Sequence, residues 1–282
     1  MRNPLRTYHE MGQNKSAYLF CLLVFPYTWF FWGTAIFSLQ SFDSFSGKLL
    51  LFTGLIGPLV VTLFLVRNFD LGRKEGLLQQ VYDYKRIDAS GYLLLILLPL
   101  VITSLSILLS ALFGYSLSQF APDPRVTFSL LSFFLFLAST FLIGPLPEEI
   151  GWRGYLLDAW LAKYSPLKAS LMVGLVWAAW QLPLFFVLGY PLHRDAVEPL
   201  YIPIYLLSVF PKSILFTFVY LRFNRSILAA ILLHFSINFI VLILQVELVT
   251  AFFELVLWTI ASIIIIKKDW PGLPGNITPH RK

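Results

Sequence analysis

Charge is scarce in this chain. Only 13% of its 282 residues are Asp, Glu, Lys or Arg, where a soluble domain carries about a quarter. That deficit excludes a surface built to face water. Cysteine is almost absent: Cys21 is the one present, so neither an internal disulfide nor a cysteine metal cluster can form. It sits inside an apolar run and reads as a small buried hydrophobe. Internal repeats, low-complexity tracts and an extramembrane domain are also missing. The net charge of +6 does not indicate nucleic acid, because the basic residues are not gathered on a polar domain. They occupy short gaps between apolar runs, the pattern of membrane loops, and the expected partners are lipids rather than nucleic acid.

What is abundant is apolar length: 58% of the chain is hydrophobic, with 27 Phe. About 20 apolar residues cross a hydrocarbon layer as a helix. Runs of that order are Ala17–Leu39, Leu49–Val66, Tyr92–Phe113, Val126–Leu146, Ala169–Leu188, Tyr201–Leu221, Ile227–Val246 and Leu248–Ile266. The pattern predicts an all-α, polytopic membrane helix bundle of about eight transmembrane helices, one membrane domain over 1–282. The last two runs abut at Glu247 and require a tight turn. The first is too long, with the wrong flanks, for a cleaved signal peptide. Seventeen Lys and Arg fall at the termini and in the gaps after the second, fourth and sixth runs; the alternate gaps hold only Lys48, Arg125 and Arg194. The positive-inside rule then predicts both termini in the cytosol and a multi-pass protein of the cell membrane. Arg67–Gly91 suits a short amphipathic helix on that side, and Pro271, Pro274 and Pro279 mark 267–282 as an irregular cytosolic tail.

Ionisable groups at helix depth are costly and usually face a cavity or a partner. Pro147-Glu148-Glu149-Ile150-Gly151-Trp152-Arg153 places two acids at the end of an apolar run. On a helix Glu149 and Arg153 are about 40° apart around the axis, and Glu148 about 140° from Arg153. Glu149 can pair with Arg153 while Glu148 is free to face a cavity as a general base; an ordinary interfacial salt bridge also accounts for the pair. In Trp177-Ala178-Ala179-Trp180-Gln181-Leu182-Pro183, Gln181 is a lone amide two residues before a proline, and it could simply satisfy the carbonyl that the proline frees. His234 and Asn238 share a helix face, for a cavity or for interhelical hydrogen bonds. The other histidines, His9, His193 and His280, fall in loops. Lys212, beside Pro211, is expected to pair with Glu254, without a chemical role.

In order, Glu148-Glu149-x-x-x-Arg153, Trp177-x-x-x-Gln181 and His234-x-x-x-Asn238 resemble the motifs of the CAAX prenyl endopeptidase and bacteriocin-processing family of intramembrane proteases. The flanking Gly154-Tyr155-Leu156-Leu157 and Ser226–Leu233 also read like that family. The resemblance covers about 144–240, the expected protease core. It implies hydrolysis of a membrane-associated peptide or protein, with Glu148 activating water, Glu149 and Arg153 bracing the helix end, and His234 and Asn238 as oxyanion donors. Gln181 departs: the family has histidine there, working with the first glutamate on the attacking water. Glutamine hydrogen-bonds water but neither takes up a proton nor ligates metal as imidazole does. Zinc is implied by the resemblance alone. One intramembrane histidine plus glutamates, without His-Glu-x-x-His, favours a metal-free site, since catalytic zinc wants three good protein ligands. Two other readings stay open: a family member that has lost hydrolysis and acts as a binding or immunity-type protein, and a small-molecule transporter, which should show inverted repeats.

Overall fold

The computed structural model describes residues 4–69, 73–122, 129–196, 198–244, 246–268 and 270. Those residues form helices and no strand; one isolated bridge joins Pro122 to Leu244. The helices are α1 (Pro4–Phe37), α2 (Phe45–Leu55), α3 (Gly57–Phe69), α4 (Arg73–Tyr82), α5 (Ala89–Ala111), α6 (Leu130–Ile143), α7 (Pro145–Gly151), α8 (Asp158–Leu161), α9 (Pro166–Gln181), α10 (Pro191–Asp195), α11 (Tyr201–Arg222), α12 (Ile227–Ile243) and α13 (Leu248–Lys268).

Among the described residues each apolar run lies mostly on helix, but they are not eight equal spans. Six segments among the described residues are long and apolar enough to cross a membrane: Lys15–Phe37, Ala89–Ala111, Leu130–Leu161, Pro166–Phe186, Tyr201–Arg222 and Leu248–Lys268. The pair α2 and α3, bent by 42°, makes a seventh if it is one span, and α12, with 17 residues, is shorter.

The α2–α3 bend has a local cause. Pro58 lacks the N–H that would serve the carbonyl four residues back, Gly54. Thr28 Oγ1 of α1 donates to that carbonyl at 3.0 Å, and Trp32 Nε1 donates to Leu51 O at 3.1 Å. The same logic operates after α9, with a different donor from the one the sequence suggests. Pro183 cannot serve Ala179 O, and the Leu182 N–H takes it in a 3₁₀ turn over Leu182–Phe186. Gln181 is therefore not needed by the backbone.

α9 and α11 are the central helices: 56% of each apolar span is buried within the protein, against 11% for Leu130–Leu161. α11 packs on α9 and α13, and α5 on α12 and α13. Large apolar side chains face outward on the outer helices, Phe30, Leu93, Leu130 and Leu131 among them, as lipid contact requires. α4 supplies the short helix expected between Arg67 and Gly91, continued by a 3₁₀ turn at Tyr84–Arg86. Two histidines placed in loops by sequence are helical instead, His9 in α1 and His193 in α10. His280 and most of the 267–282 tail lie outside the described residues.

Candidate active site

The site begins where the helix from Pro145 widens. α7 carries Glu148 and Glu149 and then passes into a π-helical turn over Trp152–Leu157, a deformation frequent at functional sites. Glu148 and Glu149 are both buried, as is Arg153. Arg153 Nη1 donates to Glu149 Oε1 at 2.9 Å, as the four-residue spacing predicts. The guanidinium lies over Phe216 at 4.1 Å and over Trp177 at 4.7 Å from the ring centroids.

Glu149 does more than the spacing shows. The same Oε1 lies 2.7 Å from His234 Nδ1, so Glu149 joins α7 to α12. The imidazole is wedged edge-on between Trp177 and Phe216, with centroids 5.5 and 5.6 Å away. His234, which the sequence leaves without a charge partner, has one.

Glu148 is held differently. Its Oε2 accepts from Trp177 Nε1 at 3.0 Å and Trp152 Nε1 at 3.4 Å. Its Oε1 and the Asn238 Nδ2 both lie within 4 Å of the point a Cβ on Gly144 would occupy. One carboxylate oxygen is thus fixed by two indoles, and the other lies near Gly144, as does the Asn238 amide.

A cavity of about 200 Å³ collects these groups: Glu148, Trp177, Gln181, His234 and Asn238 line it, with Lys212 and Tyr205 from α11. Gln181 is buried, and its Oε1 has no hydrogen-bond partner among the described protein atoms. Tyr190, between α9 and α11, also borders the cavity. Burial, with a smaller contribution from the charge on Glu148, pushes its phenol pKa up, so it stays a donor. All six residues singled out from sequence border the cavity or brace a residue that does. Missed were the indoles of Trp152 and Trp177 as carboxylate donors, although Trp152 stands four residues after Glu148. The expected Lys212–Glu254 pair does not form. Glu254 accepts from Thr103 Oγ1 at 2.6 Å instead, and Lys212 Nζ contacts Ser208 Oγ at 3.2 Å.

No group of three or more His, Cys, Asp and Glu among the described residues is arranged to hold a metal. Glu149 Oε1 and His234 Nδ1 are committed to each other. Glu148, the second oxygen of Glu149, which has no hydrogen-bond partner among the described protein atoms, and one ring nitrogen of His234 remain.

Comparison with known proteins agrees with this geometry. A family model described as Type II CAAX prenyl endopeptidase Rce1-like matches residues 130–240, a stretch that contains all six residues. CAAX prenyl protease 2 of Methanococcus maripaludis is 32% identical over 259 residues, covering 88% of this chain and 92% of that protein. With buried, ordered acids gathered at a membrane cavity and this identity over nearly the whole chain, the protein belongs to the Rce1-like type II CAAX prenyl endopeptidase family and is a protease.

Proposed function

We propose that this protein is an intramembrane endopeptidase of the cell membrane that cleaves a C-terminal CAAX-type peptide beside its prenylated cysteine, with a water activated by Glu148. The substrate class comes from the relative's name; a CAAX box is a C-terminal four-residue motif whose cysteine carries the prenyl group. The observation that carries the mechanism is the asymmetric holding of Glu148. Two indoles hold Oε2 and leave Oε1 free of them, and Glu148 lines the cavity, the posture of a general base awaiting a water.

In this reading the water oxygen attacks the scissile carbonyl as Glu148 takes its proton. Glu149 pairs with Arg153 and with His234 Nδ1 and so holds the imidazole in place. His234 and Asn238 then donate to the oxyanion, a contribution of about 2.7–4 kcal/mol per donor in soluble proteases. The C–N bond breaks, and Glu148 returns its proton to the leaving amine. Gln181 hydrogen-bonds the water or the peptide. No step uses a metal.

The test is release of the C-terminal tripeptide from a farnesylated peptide by purified protein in detergent. Wild type should release it, and Glu148→Gln should not, while remaining monodisperse. Absence of release by wild type, or full activity in Glu148→Gln, would sink the reading. A competing one, a binding or immunity-type protein, draws on Gln181 alone; it gains if wild type binds such peptides without cleaving them.

A further inference from the structure

α11 presents Tyr201, Tyr205, Val209, Lys212 and Phe216 to the cavity, a spacing of three or four residues that keeps them on one face. Four are aromatic or aliphatic; Lys212 is a cation. Its ammonium touches Ser208 Oγ at 3.2 Å and lies 6.0 Å from the centre of the Tyr205 ring. Among the described residues no carboxylate comes within 4 Å of it, and the Glu254 charge acts on it from beyond that distance. An ammonium has three donors, so this one keeps unused donors beside a cavity in the middle of a membrane helix. Such a charge is costly unless a partner or a cavity justifies it.

The neighbours say where that partner would lie. Phe216 is one turn further along α11, about 6 Å on the axis, and its ring touches both His234 and Arg153. Lys212 therefore stands about one helical turn from the wall of the hydrolytic centre. Three extended residues span roughly 10 Å, a length within reach of a flexible lysine stem that starts a turn away.

We propose that Lys212, held by Ser208, binds the terminal carboxylate of the peptide substrate and so sets the cut three residues from the chain end. This deepens the function proposed above and rests on it for the identity of the peptide. The cavity that holds Lys212 and the catalytic groups is also lined by Val209, Ile237 and Val241, which suits a peptide end with aliphatic side chains.

The experiment compares peptides ending in a free acid with the same peptides ending in an amide. Two readouts are used: cleavage of the farnesylated peptide, and calorimetric binding of the aliphatic tripeptide alone in detergent. A charge-assisted hydrogen bond in a poorly solvated site corresponds to a preference on the order of 10-fold or more. Wild type should favour the acid by that factor in KM and in tripeptide affinity, with kcat little changed. In Lys212→Met and Lys212→Gln the acid-to-amide ratio should fall to about one. Equal binding of acid and amide by wild type, absence of tripeptide binding, or a preference that survives both substitutions would overturn the assignment. Failure of wild type to cleave either peptide would count against the proposed function, and the tripeptide arm would still decide the role of Lys212.

Discussion

Glu149 binds Arg153 and His234 through one oxygen, and that sharing divides the site into a frame and a reacting half. Arg153→Ala removes a fully buried partner and leaves the Glu149 charge on His234 alone. Breaking a buried pair from one side costs about 3–5 kcal/mol, so the variant should unfold at markedly lower temperature in detergent, and Glu149→Ala similarly. Near-normal stability in both would mean the pair is not a frame. Gln181 belongs to the reacting half. Imidazole there would add an acid/base group beside Glu148, and positioned groups of that kind contribute on the order of 100-fold or more. Gln181→His should therefore raise turnover and add a titration between about pH 6 and 8. A slower histidine variant would make the amide a functional substitution that holds water by hydrogen bonds alone. The split between Glu148 and Glu149 was legible in sequence because it follows from 100° per residue. The Trp177–Glu148 and His234–Glu149 contacts were not: they join residues 29 and 85 apart, and no local period encodes them.

At the scale of elements, hydropathy located the helices but not their interruptions. Gly144-Pro145 divides one apolar run into α6 and α7, and the π-helical turn follows the two glutamates with no hydropathy signal of its own. Close approach explains the glycines there, as small residues do between membrane helices. A Cβ on Gly151 would collide with the side chain and the backbone carbonyl of Pro58 on α3, whereas one on Gly154 would meet only the side chains of Ile227 and Leu77. The backbone of α3 cannot rotate away, but side-chain ends can. Gly151→Ala should thus cost more than Gly154→Ala, with about 1–3 kcal/mol expected for overpacking of this kind. Because Gly151 directly follows the two glutamates by a residue, its variant should also lose activity beyond what its lowered stability explains. Thermal unfolding and cleavage rates measured below the transition would rank the two. An equal, small effect at both positions would show that α3 and α7 slide apart easily.

For the whole molecule the open question is which end faces the cytosol. Three direct contacts join the connecting segments in pairs. Phe42 N–H donates to Leu188 O at 2.8 Å, joining the segment after α1 to the one after α9. Glu247 N–H donates to Gln119 Oε1 at 3.0 Å, joining the segment after α5 to the one before α13. Arg86 Nη1 donates to Asn224 O at 2.8 Å, joining the segment before α5 to the one after α11. Each contact joins gaps that the charge count had already placed together, and the third joins two from the basic set. Positive residues are retained on the cytosolic side, so that set, with Met1 and Lys282, is expected inside and Lys48 outside. Replacing Cys21 by serine gives a background for single cysteines at Lys48, Lys163 and Lys268, all exposed. A membrane-impermeant maleimide should label Lys48→Cys on intact cells, and Lys163→Cys and Lys268→Cys only after permeabilisation; reporter fusions at each terminus should agree. The result also bears on the substrate. The cavity reaches Tyr190 and Leu192, in the segment that Leu188 ties to the Lys48 end, so a peptide arm approaching along that segment would come from the side opposite the basic loops. The reverse labelling pattern would overturn the charge-sorted orientation and turn that approach toward the cytosol.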